Sequence, residues 1–377
     1  MFGPYQTLID TVKEYSQTVL PEQAKHYDAV EEFPQELLDY FIKEHDIFRL
    51  LIADTEDDLG FKAFLEVIRL VSQNFAALGS ILLTQGTYAI WPLYRFGTKR
   101  QQDAYIEAMV QGDKIGGFAL TEVEYGSDID MLEARAIETD DGWLITAEKQ
   151  SVSNGPVATV YLVVAKAIKR NGDEALGIFM VERDTPGITV GDPMEKMGIK
   201  ALPVGTLSLK DVKVPKNAVL GEILAGREQM EAILNKMKIA IATQALGIAQ
   251  GAHAKGLLYA SYERNFGKRL IDVQMTQFKL AELATVITAT EALLHRVVDE
   301  GSEDTVQVAM IKLMASNVAI QATEEVIQVT GGYGYMRNND IERFVRDAKV
   351  TAIYGGSSTS QKKLIAQPWV SKHTTGE

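Results

Sequence analysis

Residues 118–129, FALTEVEYGSDI, bring together chemical groups that can hold a polar ligand. The segment begins with apolar residues and continues through Thr121, Gly126 and Ser127. A short strand running into such a loop offers hydroxyls and free backbone amides, which can hydrogen-bond a heterocycle or a phosphate. An ordinary turn has the same composition, so this segment taken alone leaves both interpretations open.

Two further segments offer similar groups. Residues 149–165, KQSVSNGPVATVYLVVA, place Ser151, Ser153 and Asn154 either along a ligand edge or at a hairpin corner. Residues 351–370, TAIYGGSSTSQKKLIAQPWV, contain a Tyr-Gly-Gly-Ser-Ser turn before a predicted helix. The first turn of a helix has unpaired N–H groups. The Tyr-Gly-Gly-Ser-Ser segment, which precedes those groups, can therefore bind an anion.

A glycine pair in residues 328–349, QVTGGYGYMRNNDIERFVRDAK, permits a different contact. Gly331 and Gly332 are predicted to end a helix, and their bare backbone also allows a ligand to approach closely. The GGYG string does not follow a predicted strand, so a Rossmann dinucleotide site is rejected.

Composition excludes several other functions. The 377 residues contain no cysteine, and the five histidines are scattered without metal-binding spacing, so no metal site is expected. The formal net charge of -13 argues against nucleic-acid binding. No apolar run is long enough for a membrane span, and the N-terminus does not resemble a signal peptide. A cytoplasmic protein is therefore expected.

The elements that must position these groups follow an α–β–α order. Residues 1–113 have helical periodicity and include one long, mostly apolar helix predicted over 61–96. Residues 114–225 alternate with a period of two and carry turn signals at Asp141-Gly142 and in KRNGDE. Residues 226–377 form three long helical patterns joined by short loops, with a C-cap predicted at Gly301. The fold class is α+β, with a helical domain, a small β-barrel or sandwich, and a C-terminal four-helix bundle.

Seven strings, taken in order, resemble the acyl-CoA dehydrogenase family over nearly the whole chain. They are LTEVEYGSD, SVSNGP, DVKVPKNAVLG, FGKRLIDVQ, QVTGGYGY, RDAK and IYGGSSTSQ. The resemblance implies FAD bound between the β domain and the bundle of a tetramer or dimer. It also implies an acyl thioester of coenzyme A or of an acyl carrier protein as substrate, and an electron-transfer flavoprotein as partner.

The resemblance also implies particular binding residues. The flavin-contact positions are Leu120, Thr121, Gly126, Ser127, Val152, Ser153, Ser357 and Thr359, with Gln274, Gln328, Gly331 and Gly332 contacting it across a subunit interface. The substrate positions are Ser127, Asn235, Lys238, Tyr354, Gly355 and Gly356.

The catalytic base of the family is missing from both of its usual positions. The reaction removes an α-proton to a base, and a carboxylate with a raised pKa suits that task. The family keeps this carboxylate where Gly355 stands, or else where Met237 stands, just before an arginine that is Lys238 here. A relocated base among Glu122, Glu124, Tyr125, Asp340 and Glu342 is one hypothesis, although the sequence places none of them at the site and a solvated surface group is the simpler interpretation of each.

Two more departures concern the flavin. Ser151 replaces an aromatic residue, and Glu263 occupies the position of an arginine that reaches the pyrophosphate, with Arg264 one step later. The catalytic residues therefore stay unassigned, and two functions remain open. The chain is either an FAD-dependent oxidoreductase with a non-standard base or a non-catalytic relative that binds an acyl thioester or pairs with an active paralogue.

Overall fold

The computed structural model describes residues 2–53, 58–124, 126, 128–263, 267–301 and 304–374. Seven helices come first: α1 Gln6–Thr18, α2 Leu20–Val30, α3 Gln35–Lys43, α4 Leu59–Ser72, α5 Ala76–Leu83, α6 Trp91–Phe96 and α7 Lys99–Val110. Helix α7 starts with a capping box in which Thr98 and Gln101 satisfy each other's backbone N–H groups.

The single helix predicted over 61–96 is wrong, because the chain breaks it twice. Between α4 and α5 the backbone of Phe75 leaves the helical region, with a φ of -135° and a ψ of 80°, and the Asn74 side chain donates to the carbonyl of Ser16 at 2.8 Å. Between α5 and α6 residues Thr84–Ile90 form a π-helix. Pro92 follows near the start of α6 and has no N–H to donate to the preceding turn, which favours a change of helix type there.

The described residues in the middle of the chain form a seven-stranded sheet. Its strands are β1 Gly116–Ala119, β2 Arg135–Glu138, β3 Gly142–Ser153, β4 Val160–Ile168, β5 Glu174–Glu182, β6 Ile188–Val190 and β7 Val204–Pro215. The order is β1-β4-β2-β3-β7-β6, with β5 on the other side of β4. Strands β1 and β2 both pair in parallel with β4, and the other pairings are antiparallel.

Both predicted hairpin turns are confirmed. Asp141-Gly142 joins β2 to β3, where the N–H of Thr139 donates to the carbonyl of Gly142 at 2.9 Å. The KRNGDE segment joins β4 to β5. Strand β3 also has a register shift between Lys149 and Val152, where Ser151 adopts a φ of 55°. This bulge re-aims the end of β3 toward the helices that follow.

The C-terminal region is helical again. Its helices are α8 Gly226–Ser261, α9 Gln274–Asp299, α10 Thr305–Thr330, α11 Gly332–Tyr335, α12 Glu342–Thr351 and α13 Ser358–Thr374. Helix α10 lies at the centre and packs against α8, α9, α12 and α13. The C-cap predicted at Gly301 is confirmed by its φ of 87° after α9. The α+β class, with a sheet between two helical regions, is confirmed. Among the described helices, none is long and apolar enough to cross a membrane.

A buried ionic network on α12 ties the three regions together. Arg343, only 3% exposed, donates to Asp340 at 2.6 Å and to Asp347 at 3.1 Å. Its third contact is the carbonyl of Asn74, at 2.7 Å, in the N-terminal helices. Asp347 also accepts from the backbone N–H of Ile199, at 2.6 Å, in the β region. Asp347 therefore links the C-terminal helices to the β region, whereas Asp340 pairs with Arg343 and Lys255 inside the C-terminal region.

Candidate active-site cavity

A cavity of about 440 Å³ lies where the β sheet meets the C-terminal helices. Its volume is within the range of small-molecule sites. It is lined by Tyr88, Phe118, Leu120, Thr121, Gly126, Ser151, Ser153, Leu234, Met237, Lys238, Ile353, Tyr354, Gly355, Gly356, Ser357, Ser360, Gln361 and Leu364.

One wall carries backbone amides and hydroxyls from the end of β1 and the bulged end of β3. Leu120, Thr121, Gly126, Ser151 and Ser153 all reach this wall. The N–H of Gln150 donates to the carbonyl of Thr121 at 3.0 Å, so the two segments are joined. Gly126 has a φ of 60°, and a side chain added there would meet no atom within 4 Å. The backbone at Gly126 therefore borders open space.

A buried ion pair holds that wall in place. Lys149, 1% exposed, donates to the carbonyl of Leu120 at 3.0 Å and to Glu122 Oε1 at 2.7 Å. Glu122 also accepts from the backbone N–H groups of Glu133 and Ala134, at 2.6 and 3.0 Å. Burial lowers the pKa of Lys149 to about 8, although Glu122 opposes the shift. Burial alone would raise the pKa of Glu122, but Lys149 and the two N–H groups hold it below its usual value.

The opposite wall is the Tyr354-Gly355-Gly356-Ser357 turn between α12 and α13. The hydroxyl of Tyr354 donates to the side-chain oxygen of Gln244 on α8. The carbonyl of Gly356 accepts from Lys312 Nζ at 2.6 Å and from Gln361 Nε2 at 2.9 Å. Gly355 and Gly356 have φ values of 63° and 95°, a region that favours glycine.

Gly355 faces helix α8 closely. A Cβ added at Gly355 would lie 2.4 Å from Cδ1 of Ile241. Contacts that short do not persist, so a side chain at this position requires Ile241 to move. The turn that lacks the carboxylate therefore packs directly against the helix that carries Met237 and Lys238.

One face of α8 supplies the floor of the cavity. Leu234, Met237 and Lys238 line it, and Ile241 continues the same face at i+7. The predicted substrate residue Asn235 is not brought to the cavity, because it is rotated by about 100° from Leu234. Its amide instead donates to Thr305 at 2.9 Å, and it borders a separate depression.

Two buried amines interact electrostatically here, Lys238 at the floor of the cavity and Lys312 behind the turn. Lys238 is 5% exposed, and burial lowers its pKa to about 8, with only Glu231 acting in the other direction. Lys312 on α10 is fully buried, and burial together with the charge of Lys238 lowers its pKa to about 7. Among the described residues, no hydrogen bond or ion pair joins Lys238 to another side chain.

Two buried polar atoms at the cavity have no partner within the described chain. They are the hydroxyl of Tyr88 and the side-chain oxygen of Gln361. Burial, together with the nearby Tyr354, raises the pKa of Tyr88 well above its usual value. Tyr88 is therefore a neutral hydrogen-bond donor at ordinary pH, and a bound ligand can satisfy it.

The other predicted flavin contacts lie elsewhere. Val152 is buried in the core of the sheet, and Ser127 falls outside the described residues. The remaining predicted contacts are exposed and do not line the cavity: Thr359, Gln274, Gln328, Gly331 and Gly332. Of the predicted substrate positions, Lys238, Tyr354, Gly355 and Gly356 do line it.

The candidate relocated bases do not reach the cavity in the described chain. Glu122 is bound to Lys149, Asp340 is bound to Arg343, and Glu342 accepts from Arg346 at 2.6 Å. Glu124 is exposed on another depression, and Tyr125 lies outside the described residues.

Glu263, at the position of the family's pyrophosphate arginine, forms a β-bridge with Arg269. Hydrogen bonds and charge from Asp272 raise the pKa of Arg269, and Glu263 adds to the shift. The ion pair of Arg269 is nevertheless with Asp272, at 2.7 Å, and not with Glu263. Arg264 lies outside the described residues.

Several cavity residues were not identified from the sequence. They are Tyr88, Phe118, Leu234, Ile353, Ser360, Gln361 and Leu364, together with Lys312 behind the turn. Only Lys312 had a visible signal, because a lysine inside the apolar run VAMIKLMA is unusual for a core helix.

Three family models match successive parts of the chain. The N-terminal, middle and C-terminal domains of acyl-CoA dehydrogenase match residues 5–113, 117–212 and 225–369. An acyl-CoA dehydrogenase of Bacillus subtilis (strain 168) is 32% identical over 361 residues, covering 94% of this chain and 95% of that protein.

Solved structures give the same result. Butyryl-CoA dehydrogenase from Megasphaera elsdenii has a TM-score of 0.90 and 30% identity, covering 97% of both chains. A prolyl acyl carrier protein oxidase has a TM-score of 0.89 and 25% identity, covering 96% of this chain and 98% of that one.

Proposed function

The chain belongs to the acyl-CoA dehydrogenase family, and from that premise we propose that it is an FAD-dependent oxidoreductase acting on the CH–CH bond of an acyl thioester. The carrier of the acyl group is coenzyme A or an acyl carrier protein. The observation that carries the proposal is the cavity itself, which has a wall of amides and hydroxyls on one side and the Tyr354–Ser357 turn on the other.

The residues present fit the ring end of FAD. Leu120, Thr121, Gly126 and Ser153 would hold the ring by backbone and hydroxyl hydrogen bonds, and the open space at Gly126 permits close approach. When bound, FAD supplies an acceptor for hydride. The unpartnered hydroxyl of Tyr88 adds a donor inside the same space.

The chain's own residues prepare the remaining half of the cavity for an acyl group. Phe118, Leu234, Met237, Ile353 and Leu364 form an apolar lining, which excludes water and strengthens electrostatic interactions inside. The turn is fixed from behind by Lys312 and by Gln361. In this proposal Tyr354, Gly355 and Gly356 contact the thioester, and Asn235 is left out.

The first test is spectroscopic. Purified protein is expected to be yellow, with a visible flavin band, and anaerobic mixing with a panel of acyl-CoAs is expected to bleach that band. A colourless protein that takes up no added FAD would refute the proposal. Acyl groups loaded on a carrier protein form the second panel and identify the carrier.

A non-catalytic binding role is the second candidate, and one observation favours it. None of the described residues that line the cavity is an aspartate or a glutamate. The two roles separate once flavin is present. If a thioester shifts the flavin spectrum without bleaching it, the protein binds the ligand and does not oxidise it.

The proposal includes an assembly of several copies and an electron-transfer flavoprotein as acceptor. Gln274, Gln328, Gly331 and Gly332 are exposed away from the cavity, as flavin contacts from a neighbouring subunit would be. Large apolar side chains are exposed in the same regions of sequence: Met275, Phe278, Tyr333, Tyr335 and Met336. Light scattering after gel filtration is expected to give the mass of a tetramer or dimer, and a monomer would contradict this part.

A further inference from the structure

We propose that the side-chain amine of Lys238 takes the α-proton of the thioester, in place of the family's carboxylate. This inference rests on the proposed function and adds a catalytic residue to it. The reaction needs a proton acceptor at the acyl group, and the turn at Gly355 and the helix position Met237 cannot provide one.

Position is the first support. Lys238 is the only lysine, arginine, histidine, aspartate or glutamate among the described residues that line the cavity. It follows Met237 on α8 and lies one helical turn before Ile241, the residue that a side chain at Gly355 would meet. The amine is therefore carried by the helix that packs against the turn where the carboxylate is absent.

The surroundings of Lys238 favour its neutral form. It is buried without an ion pair among the described residues, and a buried amine without a counter-charge loses protons readily. On α10 the charged group that interacts with it electrostatically is Lys312, which is also positive. On its own helix Glu231 is the charge that opposes this effect, and from the cavity lining Tyr88 and Tyr354 are neutral.

The neutral fraction of Lys238 is large enough to matter. With a pKa of about 8, roughly a tenth of the amine is unprotonated at pH 7 and about half at pH 8. Tyr354, which also lines the cavity, is held by Gln244, and burial raises its pKa. It is therefore a poor proton acceptor beside Lys238.

The proton transfer to Lys238 needs no oxidant or reductant. The Cα–H bond breaks and an N–H bond forms on Lys238, while the electron pair is shared between the α-carbon and the thioester carbonyl. That electron pair can take a proton back, or it can form the Cα–Cβ double bond, in which case bound FAD would accept the hydride lost from Cβ. Return of a solvent deuteron exchanges the α-hydrogen without net oxidation, so proton transfer can be measured apart from hydride transfer.

The experiment uses the flavin-loaded protein and the thioester that bleaches it. With excess thioester in D₂O and no electron acceptor, net oxidation stops once each flavin is reduced. Return of hydride from reduced flavin would label Cβ as well, so deuterium at Cα without deuterium at Cβ reports proton transfer alone. Mass spectrometry follows the exchange in wild type, Lys238→Arg, Lys238→Met and the control Lys236→Arg. Lys236 lies two residues away on the same helix, pairs with Asp58 at 2.9 Å and does not line the cavity.

Wild type and Lys236→Arg are expected to exchange at the same rate, which rises about tenfold per pH unit up to pH 8 and then levels off. Both Lys238 variants are expected to lose about 10²- to 10⁴-fold, because arginine keeps the charge but cannot accept a proton. Flavin content and thermal midpoint show that each variant is folded.

Three outcomes would overturn the assignment of Lys238. One is exchange and bleaching retained by Lys238→Arg, which would mean that only a positive charge is needed. Another is retention by Lys238→Met, and the third is a wild-type profile already level below pH 6. In each case the bleached flavin would leave the proposed function standing, whereas a wild type that no thioester bleaches would remove both proposals.

Discussion

A carboxylate placed at position 355 tests whether the turn and helix α8 meet as the structure has them. The perturbation is Gly355→Glu, made alone and together with Ile241→Val. The second change removes Cδ1, the atom that would lie 2.4 Å from a Cβ at position 355. The control is Ile239→Val, because Ile239 is equally buried but points about 160° away from Ile241 on α8.

The expected loss of stability has two parts. Gly355 has a φ of 63°, where a residue with a side chain costs about 1–2 kcal/mol. Crowding against Ile241 adds about 1–3 kcal/mol. Ile241→Val costs about 0.5–1.5 kcal/mol by itself. Because Ile241→Val also relieves the crowding, the double variant is expected to lose less stability than the two single variants lose together. The difference is expected to be about 1–3 kcal/mol.

Urea denaturation followed by tryptophan fluorescence measures this coupling. Each midpoint shift, multiplied by a common slope, gives a difference in the free energy of unfolding. Gly355→Glu with Ile239→Val is expected to be additive. Additivity within about 0.5 kcal/mol for the Ile241 pair as well would refute the close approach of the turn to α8.

The same variants carry an activity prediction. In the double variant the new carboxylate stands beside Lys238 and Lys312, so it raises the pKa of both and can accept the α-proton itself. Bleaching by the thioester is expected to become faster at pH 6–7 than in wild type, and less dependent on pH. No gain, with flavin and thioester both shown to be bound, would contradict the placement of the thioester near position 355.

Three further predictions follow from the buried charges. Glu122→Gln leaves Lys149 buried without its counter-ion, so the free energy of unfolding is expected to fall by about 3–5 kcal/mol. Flavin release in a dilution assay is expected to be faster, and unchanged release would contradict the role of this pair in the cavity wall. Arg343→Met leaves the buried Asp347 without its ion-pair partner and Asp340 with Lys255 alone, so a loss of about 3–5 kcal/mol is expected from urea midpoints, against a change below about 0.5 kcal/mol for the exposed Arg170→Met. For Lys238, the pKa of about 8 in the folded chain lies below the 10.5 of the unfolded chain, so the unfolded chain binds more protons between these values and wild-type stability rises with pH there. Relative to Lys238→Met, the free energy of unfolding of wild type is expected to rise by at most about 3 kcal/mol over this pH range. Parallel curves of unfolding free energy against pH for the two proteins would contradict the burial of a charged amine.

Much of the fold was predictable because its signals are local. The Asp-Gly hairpin and the glycine after α9 each depend on a backbone conformation that only a few residue types favour. The breaks on either side of α5 were not predictable, because the apolar pattern continues through both. The first break is stabilised by a contact between Asn74 and Ser16, which are far apart in sequence.

The parts of the site that a sequence motif defines were predictable. The parts that depend on which face of a helix points to the cavity were not. Gly355, Met237 and Lys238 line one cavity, as the family positions that they occupy imply. Asn235 is only two residues from Met237, but it lies on another face of α8. Lys312 is 44 residues before Gly356, and only the packing of α10 against the turn brings them together.

The ionic network on α12 limits how this chain can be divided or recombined. The side chain of Arg346 binds Asp28 of the N-terminal helices at 2.7 Å. A Cβ at Gly198 would lie 2.3 Å from the carbonyl oxygen of Arg346. A chimera that takes its sheet from a relative therefore needs a glycine at 198 and a free N–H at 199. Fragments cut between the regions would each expose part of one charge cluster. The three regions are therefore expected to be exchanged between relatives only together.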